Sequence, residues 1–238
     1  MRKIDYIFLP SVFHTGMWLI AQILHWRANY PFERMHPKFE KEKLLNIPPP
    51  ATIHTHILAE SGFDELKEIY DILNRDNKCL VIIPIKDILA AVISRKRRNP
   101  RESALHIIDG LVLIAQKLKD FNPLYFPLDL LTEPKSREMM MISLEKTLGV
   151  DFIEANNVST KEFSEQWPVI NDTTTYCQKN HGILNLELKQ AYDLGEIDYI
   201  KHVLPKEWSY LIRKRRTLQP FFERLGYTNL MWFRKPHK

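Results

Sequence analysis

The feature that most restricts the fold is a continuous apolar run at residues 78–84, Lys-Cys-Leu-Val-Ile-Ile-Pro. Runs of this length, rich in β-branched residues, are typical of a strand that is buried on both faces of a parallel sheet. Residues 87–96 follow at once, and their apolar side chains recur at helical spacing. A buried strand that leads directly into a helix predicts an α/β protein.

Further strand and helix patterns alternate along the remainder of the chain. We expect strands at 4–9, ended by Pro10, at 51–56 and at 124–126, and helices at 16–28, 64–74, 102–119 and 135–148, the last capped by Gly149. A surface excursion is expected at 31–50, a poorly patterned stretch at 150–180, mostly helical structure at 184–225, and a closing strand or core anchor at 231–233. The alternation predicts a three-layer α/β/α fold with a mostly parallel central sheet.

Composition narrows the class of protein. The 238 residues include 34 Lys and Arg against 29 Asp and Glu, and ten of the basic residues but only two of the acidic ones fall within 201–238. A content of 45% hydrophobic and 26% charged residues excludes the disordered and fibrous classes. No apolar run approaches the roughly 20 residues that cross a bilayer. Two cysteines, Cys79 and Cys177, cannot form a disulfide framework, so we expect a cytoplasmic protein without a transmembrane segment.

The loop at 10–18 follows the first predicted strand and places Gly16 at the start of a helix. Ligands of α/β sheets bind beyond the carboxyl ends of the strands, where helix N–H groups face anions. The loop therefore predicts a phosphate cradle, although a glycine at a helix start is also common as a simple turn residue. The Walker A spacing is absent, which disfavours an ordinary nucleoside triphosphatase.

A second group of residues follows the buried strand: Lys86, Asp87 and, eight residues after the lysine, Ser94. Lys86 and Ser94 reach one phosphate if the loop and the helix face the same ligand. Alternatively, Asp87 only caps the helix and the basic run at 95–98 is a solvated face.

A third group is His54-Thr55-His56, at the end of the second long strand. Strand alternation puts His54 and His56 on the same face. Two such histidines can ligate zinc, but no further ligands complete a site. A general base and a satisfied core histidine remain equal alternatives for this pair.

The order of these three groups resembles that in sulfotransferases that use 3′-phosphoadenosine 5′-phosphosulfate (PAPS). These enzymes begin with a strand, a Pro-Lys-Ser-Gly-Thr-Thr-Trp loop and a helix; here Pro10 precedes His14-Thr15-Gly16-Met17-Trp18. His54-Thr55-His56 stands where cytosolic members have Lys-Thr-His, and Lys86 with Ser94 reproduces the spacing of the family's 3′-phosphate signature. Looser matches to the family's later strand and helix lie at 126–131 and 144–149.

The resemblance covers residues 4–150 and implies a P-loop-like sulfotransferase architecture. It implies one domain over 1–238, with a mostly helical, basic C-terminal part at 184–238. The implied reaction transfers a sulfuryl group from PAPS to a hydroxyl or amine of an unidentified acceptor, with adenosine 3′,5′-bisphosphate (PAP) as the product and no metal.

The resemblance also assigns roles to individual residues. His56 is the implied general base, with Glu60 as the alternative base. His14 stands where the family has a lysine and is expected to act in catalysis as a protonated imidazole. The residues expected to bind the nucleotide are His14, Thr15, Gly16, Met17, Trp18, Lys86, Ser94, Arg213 and Lys214, the last two from a C-terminal basic segment.

Three other functions stay open on the sequence. Because His14 stands in place of the family's lysine and Met17 in place of a hydroxyl residue, a nucleotide-binding pseudoenzyme is one alternative. A nucleic-acid or polyanion binder is another, since basic clusters at 95–101 and 213–216 are interleaved with aromatic residues such as Trp208 and Phe221. A kinase acting on a small acceptor is a third alternative, which the missing Walker lysine opposes.

Overall fold

The computed structural model describes residues 4–34, 41–57, 62–76, 78–129, 134–150 and 183–233. The strands are β1 (Tyr6–Ser11), β2 (Phe32–Arg34), β3 (Ala51–His56), β4 (Cys79–Ile85) and β5 (Leu124–Pro127). The helices are α1 (Met17–Ala28), α2 (Lys41–Leu45), α3 (Gly62–Leu73), α4 (Ile88–Arg98), α5 (Leu105–Gln116), α6 (Pro134–Leu148), α7 (Ile183–Leu194), α8 (Ile197–Val203) and α9 (Pro205–Arg224). Short 3₁₀ turns lie at Leu118–Phe121 and Met231–Phe233.

The five described strands form one parallel sheet in the order β2-β3-β1-β4-β5. β1 is central and pairs with both β3 and β4, so that Tyr6 lies between Ala51 and Cys79. The chain leaves β1 toward the β2 side and leaves β4 toward β5. The carboxyl ends of β1 and β4 therefore border the crevice in which such sheets bind ligands.

Helices cover both faces of this sheet, which confirms the predicted three-layer α/β/α fold. β4 shows the reason, because its side chains alternate between two apolar cores. Val81 and Ile83 pack into the core formed with α3, α4, α5 and α9, whereas Ile82 packs into the core formed with α1 and α6. The apolar run therefore requires apolar partners on both sides of the sheet.

The first strand extends through Pro10 and does not end there, so that prediction is wrong. Pairing of β1 with β3 continues to Ser11, whereas its pairing with β4 ends at Phe8. The carbonyl of Ser11 accepts the N–H of Ile57 on the β3 side. Because successive residues alternate in direction, the missing N–H of Pro10 faces the β4 side beyond the last pair, where the ladder needs no donor.

The surface excursion expected at 31–50 contains regular structure. The three-residue strand β2 pairs with β3 at the edge of the sheet, in register Phe32↔Thr52, and α2 follows it. A strand of three residues is too short to show a sequence period, which explains why it was not predicted. Residues 35–40 lie outside the described part of the chain.

Most other sequence predictions agree with the observed elements. Gly149 follows α6 with a φ of +65°, and its N–H bonds the carbonyl of Glu145, which confirms the predicted cap. Trp232, in the closing turn, is fully buried and confirms the core anchor. Residues 151–182, which include nearly all of the stretch expected to be poorly patterned, lie outside the described part of the chain. Within the described part of the chain, no helix is both long and apolar enough to cross a membrane.

The structure describes one of the two cysteines. Cys79 opens β4 as a free thiol, and burial raises its pKa to about 12, so it is protonated and unreactive at neutral pH. Cys177 lies outside the described residues, so the expected cysteine state stays a prediction.

Candidate functional site

The loop between β1 and α1 owes its shape to Gly16. This glycine precedes α1 with φ +86°, a conformation that L residues with side chains rarely adopt. A Cβ atom on it would lie 1.9 Å from Cδ1 of Leu128, which follows β5. The hydroxyl of Thr15 donates to the carbonyl of Val12 at 2.7 Å and tightens the turn. α1 thus begins shortly after the carboxyl end of β1, and the N-terminus of a helix attracts anions.

The imidazole of His14 connects this loop to α4. Its Nδ1 lies 3.1 Å from Oγ of Ser94, which is 80 residues away in the sequence, and the imidazole tautomer decides which group donates. His14 itself has a left-handed φ of +64°. The contact brings together two groups of residues that the sequence analysis singled out separately.

Beside this pair, His56 lies flat against an aromatic ring. The Phe13 and His56 ring centroids are 3.9 Å apart with an interplanar angle of 21°. The imidazoles of His54 and His56 are 4.6 Å apart and perpendicular, which agrees with the predicted common face. His54 is fully buried, and its Nε2 lies 3.0 Å from Oγ of Ser11, whereas His56 is half-buried. His56 is therefore the more accessible of the two.

A cation also lies near the Phe13 ring. The guanidinium carbon of Arg95 lies 5.5 Å from the ring centroid, and His106 of α5 contacts the ring edge at 5.7 Å between centroids. Burial lowers the pKa of His106, and the nearby Arg95 lowers it further. Arg95 also pairs with Glu102 at 2.5 Å and its side chain is 19% exposed. The start of the basic run at 95–98 is thus a packed ion-pair element and not a freely solvated face.

Lys86 is half-buried directly after β4, near the buried carboxylate of Asp87 and the half-buried carboxylate of Asp129. Asp87 caps α4 as predicted, because its side chain accepts the N–H of Leu89 at 3.2 Å. Burial raises the pKa values of both Asp87 and Asp129, while the positive charge of Lys86 lowers the pKa of Asp129. Lys86 therefore lies close enough to Asp129 for their charges to interact.

Two of the predicted nucleotide-binding residues, Met17 and Thr15, have little polar side-chain surface to offer. Met17 is 6% exposed and packs in the core with α6. Thr15 is fully buried, with its hydroxyl bonded inside the loop. The side chain of Trp18 lies outside the described atoms. If Met17 and Thr15 bind an anion, they do so through their main-chain N–H groups.

The described contacts of Arg213 and Lys214 are with the ring of Tyr210. Their charged ends each lie 5.2 Å from the ring centroid of Tyr210, whose hydroxyl donates to Asp109 of α5 at 2.5 Å. Arg213 also borders a groove at the start of α9. Among the described residues, the contacts of these two cations belong to the α5–α9 interface, so their nucleotide-binding role stays a prediction. Glu60, the alternative base, lies outside the described residues.

Sequence reasoning missed several residues that shape the site. Phe13 gave no signal beyond its place in the loop, and Tyr192 and Trp232 come from more than 100 residues away to bind Asp87. Asp129 had a usable signal, since it follows a strand at the carboxyl edge of the sheet, where polar residues are often functional.

Comparison with solved structures finds a likeness to a sulfotransferase. The chain is similar to the crystal structure of mouse sulfotransferase SULT7A1 complexed with PAP, with a TM-score of 0.48 and 17% sequence identity. The match covers 70% of this chain and 64% of that chain, so this chain spans less than two thirds of the neighbour's length. No family model matches the chain, and no curated protein matches it.

Proposed function

We propose that this protein transfers a sulfuryl group from PAPS to a hydroxyl or amine of an acceptor. The observation that supports the proposal is the 3.1 Å contact between His14 and Ser94. It joins the two parts of the sequence that resemble the phosphosulfate loop and the 3′-phosphate signature of sulfotransferases. It does so beside the crevice bordered by β1 and β4, where open α/β sheets bind nucleotides.

The residues at this edge fit a nucleotide with two phosphate-bearing ends. The first-turn N–H groups of α1 and the His14 imidazole would hold the phosphosulfate end, since both favour negative charge. Lys86 and Ser94 would hold the 3′-phosphate by a charge and a hydroxyl. Lysine supplies a point charge without the two-pronged geometry of arginine, so discrimination among anions depends on where its ammonium is placed.

His56 is proposed as the general base that takes the acceptor's proton. An imidazole accepts a proton near neutral pH because its unperturbed pKa is about 6.5. The stacking of Phe13 fixes the plane of the His56 ring, and a fixed plane holds the accepting nitrogen in one direction. PAPS supplies the activated sulfuryl group, while the protein positions the reactants and stabilises the negative charge of the leaving phosphate.

The first test is the selectivity of binding. We expect PAP to raise the Tm of the wild-type protein more than ADP or AMP does, because PAP alone carries a 3′-phosphate for Lys86. Lys86→Ala should abolish this difference. Lys78→Ala is the matched control, since Lys78 precedes the same strand at the opposite end and pairs with Asp5. Equal shifts with all three nucleotides, together with salt-sensitive binding to DNA, would favour the polyanion binder instead.

The second test separates transfer from binding. His56→Ala should remove sulfate transfer from PAPS while leaving the Kd for PAP nearly unchanged. Retained turnover in this variant would show that another residue is the base. Wild-type protein that binds PAP selectively but transfers no sulfate to any of a panel of hydroxyl and amine acceptors would be a nucleotide-binding pseudoenzyme.

A further inference from the structure

The carboxylate of Asp87 is held entirely by other parts of the protein. Its side chain is 1% exposed. Oδ1 accepts the N–H of Leu89 at 3.2 Å and the indole N–H of Trp232 at 2.8 Å, and Oδ2 accepts the hydroxyl of Tyr192 at 2.5 Å. Both oxygens therefore have protein donors, as a structural carboxylate requires.

The main chain of Asp87 is fixed as well. Its N–H donates to Oδ2 of Asp129 at 2.5 Å, and the hydroxyl of Tyr227 donates to the same oxygen at 3.2 Å. Trp232 is itself immobilised, because it is fully buried and lies edge-on against Phe222 of α9 at 5.4 Å between centroids. Donors from the C-terminal part of the chain thus hold Asp87 at both its side chain and, through Asp129, its main chain.

This arrangement determines where the neighbouring cation lies. Lys86 is flanked by Ile85, the last residue of β4, and by Asp87, so its main chain is restrained on both sides. Asp87 also caps α4 and sets the direction in which this helix leaves the sheet, and Ser94 lies about two turns along it. We propose that Asp87 is a positioning residue that sets Lys86 and Ser94 for a 3′-phosphate, with Tyr192 and Trp232 holding it in place. This inference rests on the proposed function.

The electrostatics of Asp87 explain why its donors matter. Burial raises the pKa of Asp87, whereas the hydrogen bonds from Tyr192 and Trp232 lower it. Removal of one donor favours the protonated carboxyl, which accepts hydrogen bonds less well. The cap of α4 weakens as a result, and Lys86 gains freedom to move away from its place.

The test compares the affinities of Tyr192→Phe and wild-type protein for PAP and AMP by calorimetry. The variant removes one oxygen and keeps the ring. We expect the Kd for PAP to rise about tenfold, the effect of losing one hydrogen bond to a charged group. The Kd for AMP should change little, because AMP has no 3′-phosphate. Tyr227→Phe, which loosens Asp129 instead, should change the same ratio in the same direction by less.

Tyr199→Phe is the matched control. Tyr199 donates its hydroxyl to Glu187, a carboxylate on α7, which is the helix that carries Tyr192. The control should leave the ratio of the two Kd values unchanged. A lower Tm in Tyr192→Phe with an unchanged ratio of the two Kd values would overturn the positioning role. If Tyr192→Phe does not fold, the same ratio measured in Tyr227→Phe tests the role instead. Wild-type protein without preference for PAP would instead overturn the proposed function, and this inference with it.

Discussion

The ring of Phe13 stacks on the imidazole of His56 with 3.9 Å between centroids. Phe13 belongs to the loop after β1, whereas His56 is the last residue of β3. The loop that is proposed to hold the phosphosulfate therefore also orients the proposed base. An acceptor proton and a leaving phosphate can be aligned by one segment of main chain.

Phe13→Leu should lower kcat without changing the Kd for PAP. Leucine keeps the apolar contact but removes the flat surface, and aromatic pairs contribute about 0.5–1.5 kcal/mol beyond burial, which corresponds to a fall in rate of roughly two- to tenfold. Steady-state kinetics with PAPS and an accepted acceptor measure the effect. Phe63→Leu serves as control, because Phe63 stacks on Phe121 in the α3 region. An unchanged kcat in Phe13→Leu would mean that stacking does not orient the base.

Gly16→Ala should destabilise the protein more than Gly195→Ala does. Both glycines have left-handed φ angles, +86° and +76°, so each substitution carries backbone strain of about 1–2 kcal/mol. At Gly16 the new Cβ also meets Leu128, whereas at Gly195 it meets nothing within 4 Å. The additional overpacking is about 1–3 kcal/mol, which urea denaturation resolves. Equal losses of stability in the two variants would show that Leu128 moves aside freely.

His14→Lys should make PAP binding less sensitive to pH. In the wild type we expect affinity to fall as pH rises, because an imidazole loses its charge on deprotonation, whereas a lysine stays charged to about pH 10. The Kd for PAP between pH 5.5 and 8.5 measures this in both proteins, and the titration of the phosphate itself is common to them. Parallel pH profiles of the two proteins would show that the charge of His14 does not contribute to PAP binding.

Asp129→Asn should flatten the dependence of stability on pH. Burial raises the pKa of Asp129 in the folded protein, while in the unfolded chain an Asp titrates near 3.9. The folded state therefore binds the proton more tightly, and its stability falls as pH rises from about 4 through the folded pKa. Asparagine keeps an acceptor oxygen without the charge, so the free energy of unfolding of the variant should fall less over that range. The exposed Asp120→Asn should retain the wild-type slope.

The extent of sequence-based prediction depended on how local each signal was. The apolar run at β4 and the cap at Asp87 are local patterns, and both are confirmed. His14 and Ser94 were singled out separately, and only their shared resemblance to one family suggested that they meet. The prediction for Pro10 is wrong because its missing N–H faces β4 at a point where β1 is no longer paired with that strand, and sequence alone does not show where pairing ends.

The C-terminal segment illustrates what sequence could not provide. A basic segment was expected to approach the anion site through Arg213 and Lys214. That role stays a prediction, whereas the side-chain donors to Asp87 that the structure describes are Tyr192 and Trp232, which are 105 and 145 residues from it. An aromatic donor that binds a buried carboxylate leaves no periodic pattern, because its partner is chosen by tertiary packing.

The side-chain network around Asp87 has a consequence for synthesis of the chain. The residues from later elements that hold Asp87 are made after it, Tyr192 by 105 residues and Trp232 by 145. A nascent chain can form β1, β4 and the loops that carry His14 and Ser94 well before Trp232 leaves the ribosome. If Asp87 positions Lys86 as proposed, Lys86 is fully restrained only after that indole has docked, and the proposed nucleotide affinity then develops late in folding.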